Sequence, residues 1–147
     1  MAPSSTVRIL GIAGSLRKGS FNRAALRAAQ TLVPADATLE TFDLDGIPPF
    51  NEDDEKTLPA RVAELKAGIR GADAVLIVTP EYNYSIPGVL KNAIDWVSRP
   101  YGDNAWDGKP VAIMGHRWAR WARRGRSTIC ARRSSFSTCT RLTSRRS

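Results

Sequence analysis

The sequence predicts an α/β domain in which a parallel sheet carries helices on both faces. Three observations lead there. Nearly continuous apolar segments alternate with segments apolar at helical spacing, in the order β-α-β-α-β-α-β. The apolar segments lack the every-second-residue alternation of a half-solvated sheet, so both of their faces need cover. The pattern then ends at Gly115, which leaves the sheet incomplete at its C-terminal edge.

Val7 to Ala13 reads as a buried strand, followed by a Gly/Ser loop from Gly14 to Ser20. Ser20 is placed to cap a helix with Ala25, Ala28, Ala29 and Leu32 on its apolar stripe. Pro34 and Asp36 close that helix, and Thr38 to Leu44 is a weaker strand nearer an edge. Asp45 to Lys56, with Pro48, Pro49 and the acids Glu52 to Glu55, reads as a surface loop. Thr57 is expected to cap a second helix, with Pro59 in its first turn. Its stripe is Leu58, Val62, Leu65 and Ile69, and Gly71 ends it. Asp73 to Thr79 is the clearest buried strand. Pro80 to Ile86 is a loop, Pro87 opens a helix bearing Leu90, Ala93, Ile94 and Val97, and Lys109 to Gly115 is a last short strand.

The chain has 147 residues, room for one domain. No run of about 18 apolar residues is present to span a bilayer. The first residues lack a basic stretch leading into an apolar one, so a cytoplasmic location is expected. The net charge of +8 is unevenly spread. Up to Gly115 there are 12 Lys and Arg against 14 Asp and Glu, a net of −2; beyond it there are 10 Arg and no Lys, Asp or Glu, a net of +10. Cys130, Cys139 and His116, the chain's cysteines and its histidine, also lie beyond Gly115. Metal sites and Cys/His catalysis are therefore excluded from the first 115 residues.

In open parallel sheets, ligands bind beyond the carboxyl ends of the strands. Two loops occupy such positions. Gly14-Ser-Leu-Arg-Lys-Gly-Ser-Phe-Asn22 combines hydroxyls, backbone N–H groups and a helix N-terminus with Arg17, the makings of an anion site. It fits neither the dinucleotide nor the nucleoside-triphosphate glycine motif, and favours a single phosphate. The same residues would also suit a plain surface loop with a capped helix. Pro80-Glu-Tyr-Asn-Tyr-Ser-Ile-Pro87 offers planar side chains and backbone amides to a flat heterocycle, or else two tyrosines packed on their neighbours.

Taken together, Ser15-x-Arg17-x-x-Ser20-x-Asn22 and Pro80-Glu-Tyr-Asn-x-Ser-Ile-Pro-Gly-x-Leu-Lys-Asn-Ala-Ile-Asp-Trp96 resemble the NADPH-dependent FMN reductase family, which includes quinone, azo and chromate reductases. The resemblance runs from about Val7 to Gly115 and implies a flavodoxin-like doubly wound sheet. It implies that Ser15, Arg17, Ser20 and Asn22 hold the phosphate of FMN. It implies further that Pro80, Glu81, Tyr82, Asn83 and Tyr84 line the isoalloxazine edge. Lys91, Asn92, Asp95 and Trp96 match a helix that helps form a homodimer in that family; here they read as structural first. The implied activity is NAD(P)H-dependent hydride transfer through bound FMN to a flavin, a quinone or a similar small-molecule acceptor. No protein nucleophile is required, because the cofactor carries the chemistry. NADPH over NADH rests on the resemblance alone.

The resemblance fails after Gly115, where a small-residue loop closing over the flavin would be expected. Residues 116–147 show no hydrophobic period and read as a non-native, disordered tail, translated out of frame. Reading from the third base of each codon, Trp118-Ala119 and Trp121-Ala122 must each give glycine, and GC-rich choices elsewhere restore the expected Gly-Ala-Ser loop. Such a change would leave the activity impaired and the last strand an open edge. Two alternatives stand beside the reductase: a basic arm binding nucleic acid, and a flavin-binding electron carrier without NAD(P)H turnover.

Overall fold

The computed structural model describes residues 6–115. Its elements are β1 (Val7–Ala13), α1 (Phe21–Thr31), β2 (Ala37–Phe42), a 3-10 turn (Glu52–Lys56), α2 (Ala60–Gly71), β3 (Ala74–Val78), α3 (Gly88–Val97) and β4 (Val111–Met114). All pairings are parallel. β1 runs beside β2 from Val7↔Ala37 to Ile12↔Phe42 and beside β3 from Ile9↔Ala74 to Ala13↔Val78, and β3 pairs with β4 from Val75↔Val111 to Val78↔Met114. The order β2-β1-β3-β4 is the flavodoxin-like doubly wound arrangement. Among the described residues β4 has β3 as its single neighbour. β2 lies at the opposite edge, where its weak apolar pattern placed it.

Side chains of alternate strand residues go to opposite faces. Leu10, Ile12, Val75 and Ile77 face α2 and α3, where they pack with Leu65, Ile69, Leu90, Ala93 and Val97 in the main core. Burying a side chain of this size contributes about 1.5–3 kcal/mol. The intervening residues face α1. A Cβ on Gly11 would meet Leu26 Cδ1 at 2.7 Å, so the missing side chain lets α1 settle onto the sheet.

The element order agrees with the sequence pattern, while several local details differ. Ser20 caps α1 as expected, its hydroxyl accepting from the N–H groups of Asn22 and Arg23. The stripe of α1 is shifted, however: Asn22 and Leu26 are buried, whereas Ala28 is exposed and Leu32 is 79% exposed. Leu32 is the C-cap residue, past the last turn that touches the sheet. Thr57 does not cap α2, because it ends the 3-10 turn instead; Pro59 takes the N-terminal position, with no side-chain cap.

Lys66, beside Leu65 on α2, is 2% exposed. Its ammonium donates to the carbonyls of Arg99 and Asp103 and to the Asp103 carboxylate at 2.8 Å, tying α2 to the loop before β4. The nominal surface loop 45–56 is likewise pinned. Asn92 accepts from the Phe50 N–H at 2.7 Å and donates to the Pro48 carbonyl, to which Trp96 Nε1 also donates at 2.8 Å. Asn92 and Trp96 thus have the structural role expected of them. Lys91 and Asp95 pair with each other on the outer side of α3. The expectations of a disordered, out-of-frame tail and of a basic nucleic-acid arm concern residues 116–147, outside the described residues.

Candidate functional site

β1 and β3 are neighbours, so the loops that leave their carboxyl ends are forced together. The junction is tight. Gly14 N–H donates to the Val78 carbonyl at 2.8 Å, and a Cβ on Gly14 would lie 2.8 Å from the Thr79 Cβ. Any larger residue at 14 would wedge the two loops apart.

The first loop turns back on itself through Ser20 N–H to Arg17 carbonyl, 3.0 Å, and then enters α1. Ser15, Ser20 and Asn22 are buried to within 5% exposure, while Arg17 stands exposed at the rim. The first turn of α1 holds no acidic residue, so its positive end is not neutralised locally. Buried hydroxyl and amide groups, a free-standing guanidinium and a helix N-terminus form an environment for an anion.

The second loop leaves β3 at Thr79, whose hydroxyl donates to the Pro80 carbonyl. Tyr82 and Ser85 then exchange both backbone hydrogen bonds, at 2.8 and 2.9 Å, around Asn83 (φ 49°) and Tyr84 (φ 62°). Two consecutive positive φ values make this a type I′ turn. Asparagine accepts that conformation readily, but a tyrosine does so at a cost of about 1–2 kcal/mol. Tyr82 is 53% and Tyr84 92% exposed. Aromatic rings left in solvent on a strained turn suit contact with a flat ligand.

A cleft of about 160 Å³ opens between the two loops, lined by Ser15, Arg17, Ser20, Asn22, Pro80, Glu81 and Tyr82, with Phe21 beside them. Seven of the nine residues singled out from sequence therefore meet in one concavity. Asn83 and Tyr84 do not line it; they form the tip of the turn above. Phe21 was missed by sequence reasoning. Its signal was an aromatic residue directly after a cap, in a position that faces solvent rather than the core: it is 51% exposed.

A neighbouring cluster steadies the carboxyl end of β2. Burial alone would raise the Asp43 carboxyl, but hydrogen bonds from Arg23 at 2.5 Å and from the Asp45 N–H, with the charges of Arg23 and Arg61, bring it below the ordinary aspartate range. Arg23 follows Asn22 on α1, so this pair ties the start of that helix to the end of β2. Among the described residues no group of three or more His, Cys, Asp or Glu is arranged to hold a metal ion.

The family model of NADPH-dependent FMN reductases matches residues 7–140. An NAD(P)H-dependent FMN reductase of Pseudomonas aeruginosa is 52% identical over 113 residues, which are 76% of this chain and 60% of that one. A 2-hydroxy-1,4-benzoquinone reductase of a Burkholderia species is 46% identical over 109 residues, covering 74% of this chain and 60% of the relative. In structure, the chain is similar to the flavoenzyme NAD(P)H:(acceptor) oxidoreductase of Paracoccus denitrificans. The TM-score is 0.70 at 42% identity, over 74% of this chain and 60% of that one. The chain thus spans about three fifths of the length of the curated relatives it matches.

Proposed function

The chain belongs to the NADPH-dependent FMN reductase family, and on that basis we propose that its two converging loops hold FMN for NAD(P)H-dependent reduction of a quinone or flavin. The observation that carries this reading is the shared cleft. An anion-suited floor and an aromatic, amide-rich turn open into one concavity at the carboxyl rim of the sheet.

The residues fit such a cofactor at both of its ends. Ser15, Ser20, Asn22 and the start of α1 would take the phosphate, with Arg17 closing over it as a matched charge. Pro80, Glu81, Tyr82, Asn83 and Tyr84 would present backbone and side-chain groups to the edge of the flat ring, and the strained turn fixes their position in advance. When bound, FMN supplies hydride acceptance and release. The protein's share is to orient the ring, leave one face open to a nicotinamide and then to an acceptor, and tune the ring by hydrogen bonds. The acceptors named for the relatives, quinones and flavins, are flat molecules that such an open face admits.

The same reading takes residues 1–115 as the FMN-binding domain and residues 116–147 as an out-of-frame replacement for the segment that would complete it. It takes the intact form as a cytoplasmic homodimer using the outer side of α3, where Lys91 and Asp95 stand. Sequencing the gene tests the replacement: a shifted frame should spell a Gly-Ala-Ser loop after Gly115, and a frame without one removes the idea.

The cofactor assignment is tested by FMN fluorescence quenching with the full chain. Binding should be saturable, and Arg17→Ala and Asn22→Ala should each weaken it about tenfold, equivalent to about 1.4 kcal/mol. Undiminished retention in both variants refutes the site. Anaerobic NADPH should bleach the bound flavin; failure to do so with flavin retained would indicate an electron carrier instead.

A further inference from the structure

The cleft described above lies between the ends of β1 and β3. A second pocket, of about 250 Å³, lies on the other side of β1, between α1 and the end of β2. Arg23, Arg27 and Gln30 line it from one flank of α1, and Phe42 and Asp43 from the end of β2, with the buried Leu26 among them.

Asp43 is held firmly in this pocket. One carboxylate oxygen accepts from Arg23 at 2.5 Å and the other from the Asp45 N–H at 3.2 Å, while the Asp43 carbonyl accepts from Arg61 at 2.7 Å. The Arg61 guanidinium also stacks on the Phe42 ring, 4.1 Å from its centre. Each carboxylate oxygen keeps a lone pair for a further donor. Arg27 differs: it is exposed, and among the described residues its guanidinium has no acidic partner.

We infer that this pocket seats the adenosine end of NADPH, with Arg27 on its 2′-phosphate and Asp43 on a ribose hydroxyl. The inference rests on the flavin reading above and adds which dinucleotide the protein prefers. In dinucleotide-binding parallel sheets an acid about 20 residues beyond the phosphate loop takes a ribose hydroxyl, and a nearby arginine accommodates a 2′-phosphate. Asp43 and Arg27 supply those two groups at the end of the strand beside β1. The charges agree. Arg23 is matched by Asp43, which leaves the Arg27 fork for a phosphate. The volume agrees as well, since it falls below the roughly 300–1,000 Å³ usual for a whole ligand and suits one end of a longer one. Asn22 and Arg23, adjacent on α1, line one pocket each. A dinucleotide with its nicotinamide on the flavin can therefore carry its other end across the N-terminus of α1, whose positive end suits the pyrophosphate between.

The test is calorimetric titration of the full chain with adenosine 2′,5′-bisphosphate and, separately, with adenosine 5′-monophosphate. The bisphosphate should bind saturably and roughly tenfold more tightly than the monophosphate. Arg27→Ala should erase that difference, Arg27→Lys should keep part of it, and neither should change FMN retention. In turnover, Arg27→Ala should lower the NADPH-to-NADH ratio of kcat/KM about tenfold.

Equal affinity for the two nucleotides, or a preference that survives Arg27→Ala, overturns the inference. So does inorganic phosphate that displaces the bisphosphate as well as NADPH does, which would leave a plain anion site. A preference lost in Arg27→Ala with the NADPH-to-NADH ratio unmoved also overturns it, since the pocket would then serve a separate nucleotide. The titrations need no flavin. A chain that failed to hold FMN but kept the bisphosphate preference would refute the flavin assignment and leave the pocket's selectivity standing.

Discussion

The two faces of the sheet are built from the same strands and the same kinds of residue, yet they end in opposite states. Toward α2 and α3, Leu10, Ile12, Val75 and Ile77 are at most 6% exposed. Toward α1, their neighbours Ile9, Ala74 and Leu76 are half-exposed, and a groove opens above them. The difference does not lie in strand hydrophobicity. Among the described residues it lies in the supply of cover: two helices and a pinned loop on one side, a single helix on the other. A strand's sequence states what it needs, while its burial depends on what the rest of the chain delivers.

The sharpest way to break that comparison is a pair of truncations. Ile77→Ala, in the packed core, should cost about 2–5 kcal/mol by loss of contacts and the cavity left behind. Leu76→Ala, one residue along on the open face, should cost less than about 1 kcal/mol, because little packing is lost there. Urea denaturation gives both values, and equal losses would show that the second face is as well packed as the first.

A second probe tests how closely α1 approaches. Gly11→Ala should destabilise by about 1–3 kcal/mol, since the new methyl meets Leu26 Cδ1 and lies 3.3 Å from the Glu40 carbonyl oxygen. Combining it with Leu26→Ala should give a double variant more stable than the two losses summed. Simple additivity would mean that α1 sits further from the sheet.

The smallest expected effect concerns pH on the covered side. The hydrogen bond from Lys66, with the charges of Lys66 and Arg70, holds the Asp103 carboxyl below its ordinary value of 3.8. A depressed folded-state value means that the stabilisation is complete above 3.8 and fades as pH falls through the lower folded value. Asp103→Asn should therefore flatten the acid limb of the stability profile below about pH 4. An unchanged limb would show that the Arg99 and Asp103 carbonyls hold Lys66 without help from the carboxylate.

Much of the site was legible before any coordinates. Ser20 as a cap follows from its position before an amphipathic run, and the order of apolar segments alone places the loops after β1 and β3 at one rim. The burial of Lys66 and the displaced stripe of α1 were not legible. Each depends on a contact between residues far apart in the chain: Lys66 with Asp103, or Leu26 with the gap at Gly11. A helical period shows that one side is apolar, but not where along that side the sheet begins and ends.

The sequence by itself determined the alternation of strands and helices, the two chemistry-bearing loops and the point where apolar patterning stops, because each is written in local spacing and turn chemistry. The tertiary structure decided the rest. It brought Ser15 and Tyr82 into one cleft, set Asn92 and Trp96 to hold Pro48, and, among the described residues, packed one sheet face more fully than the other. Those outcomes depend on which distant segments the sheet brings side by side, and no local window of sequence contains that information.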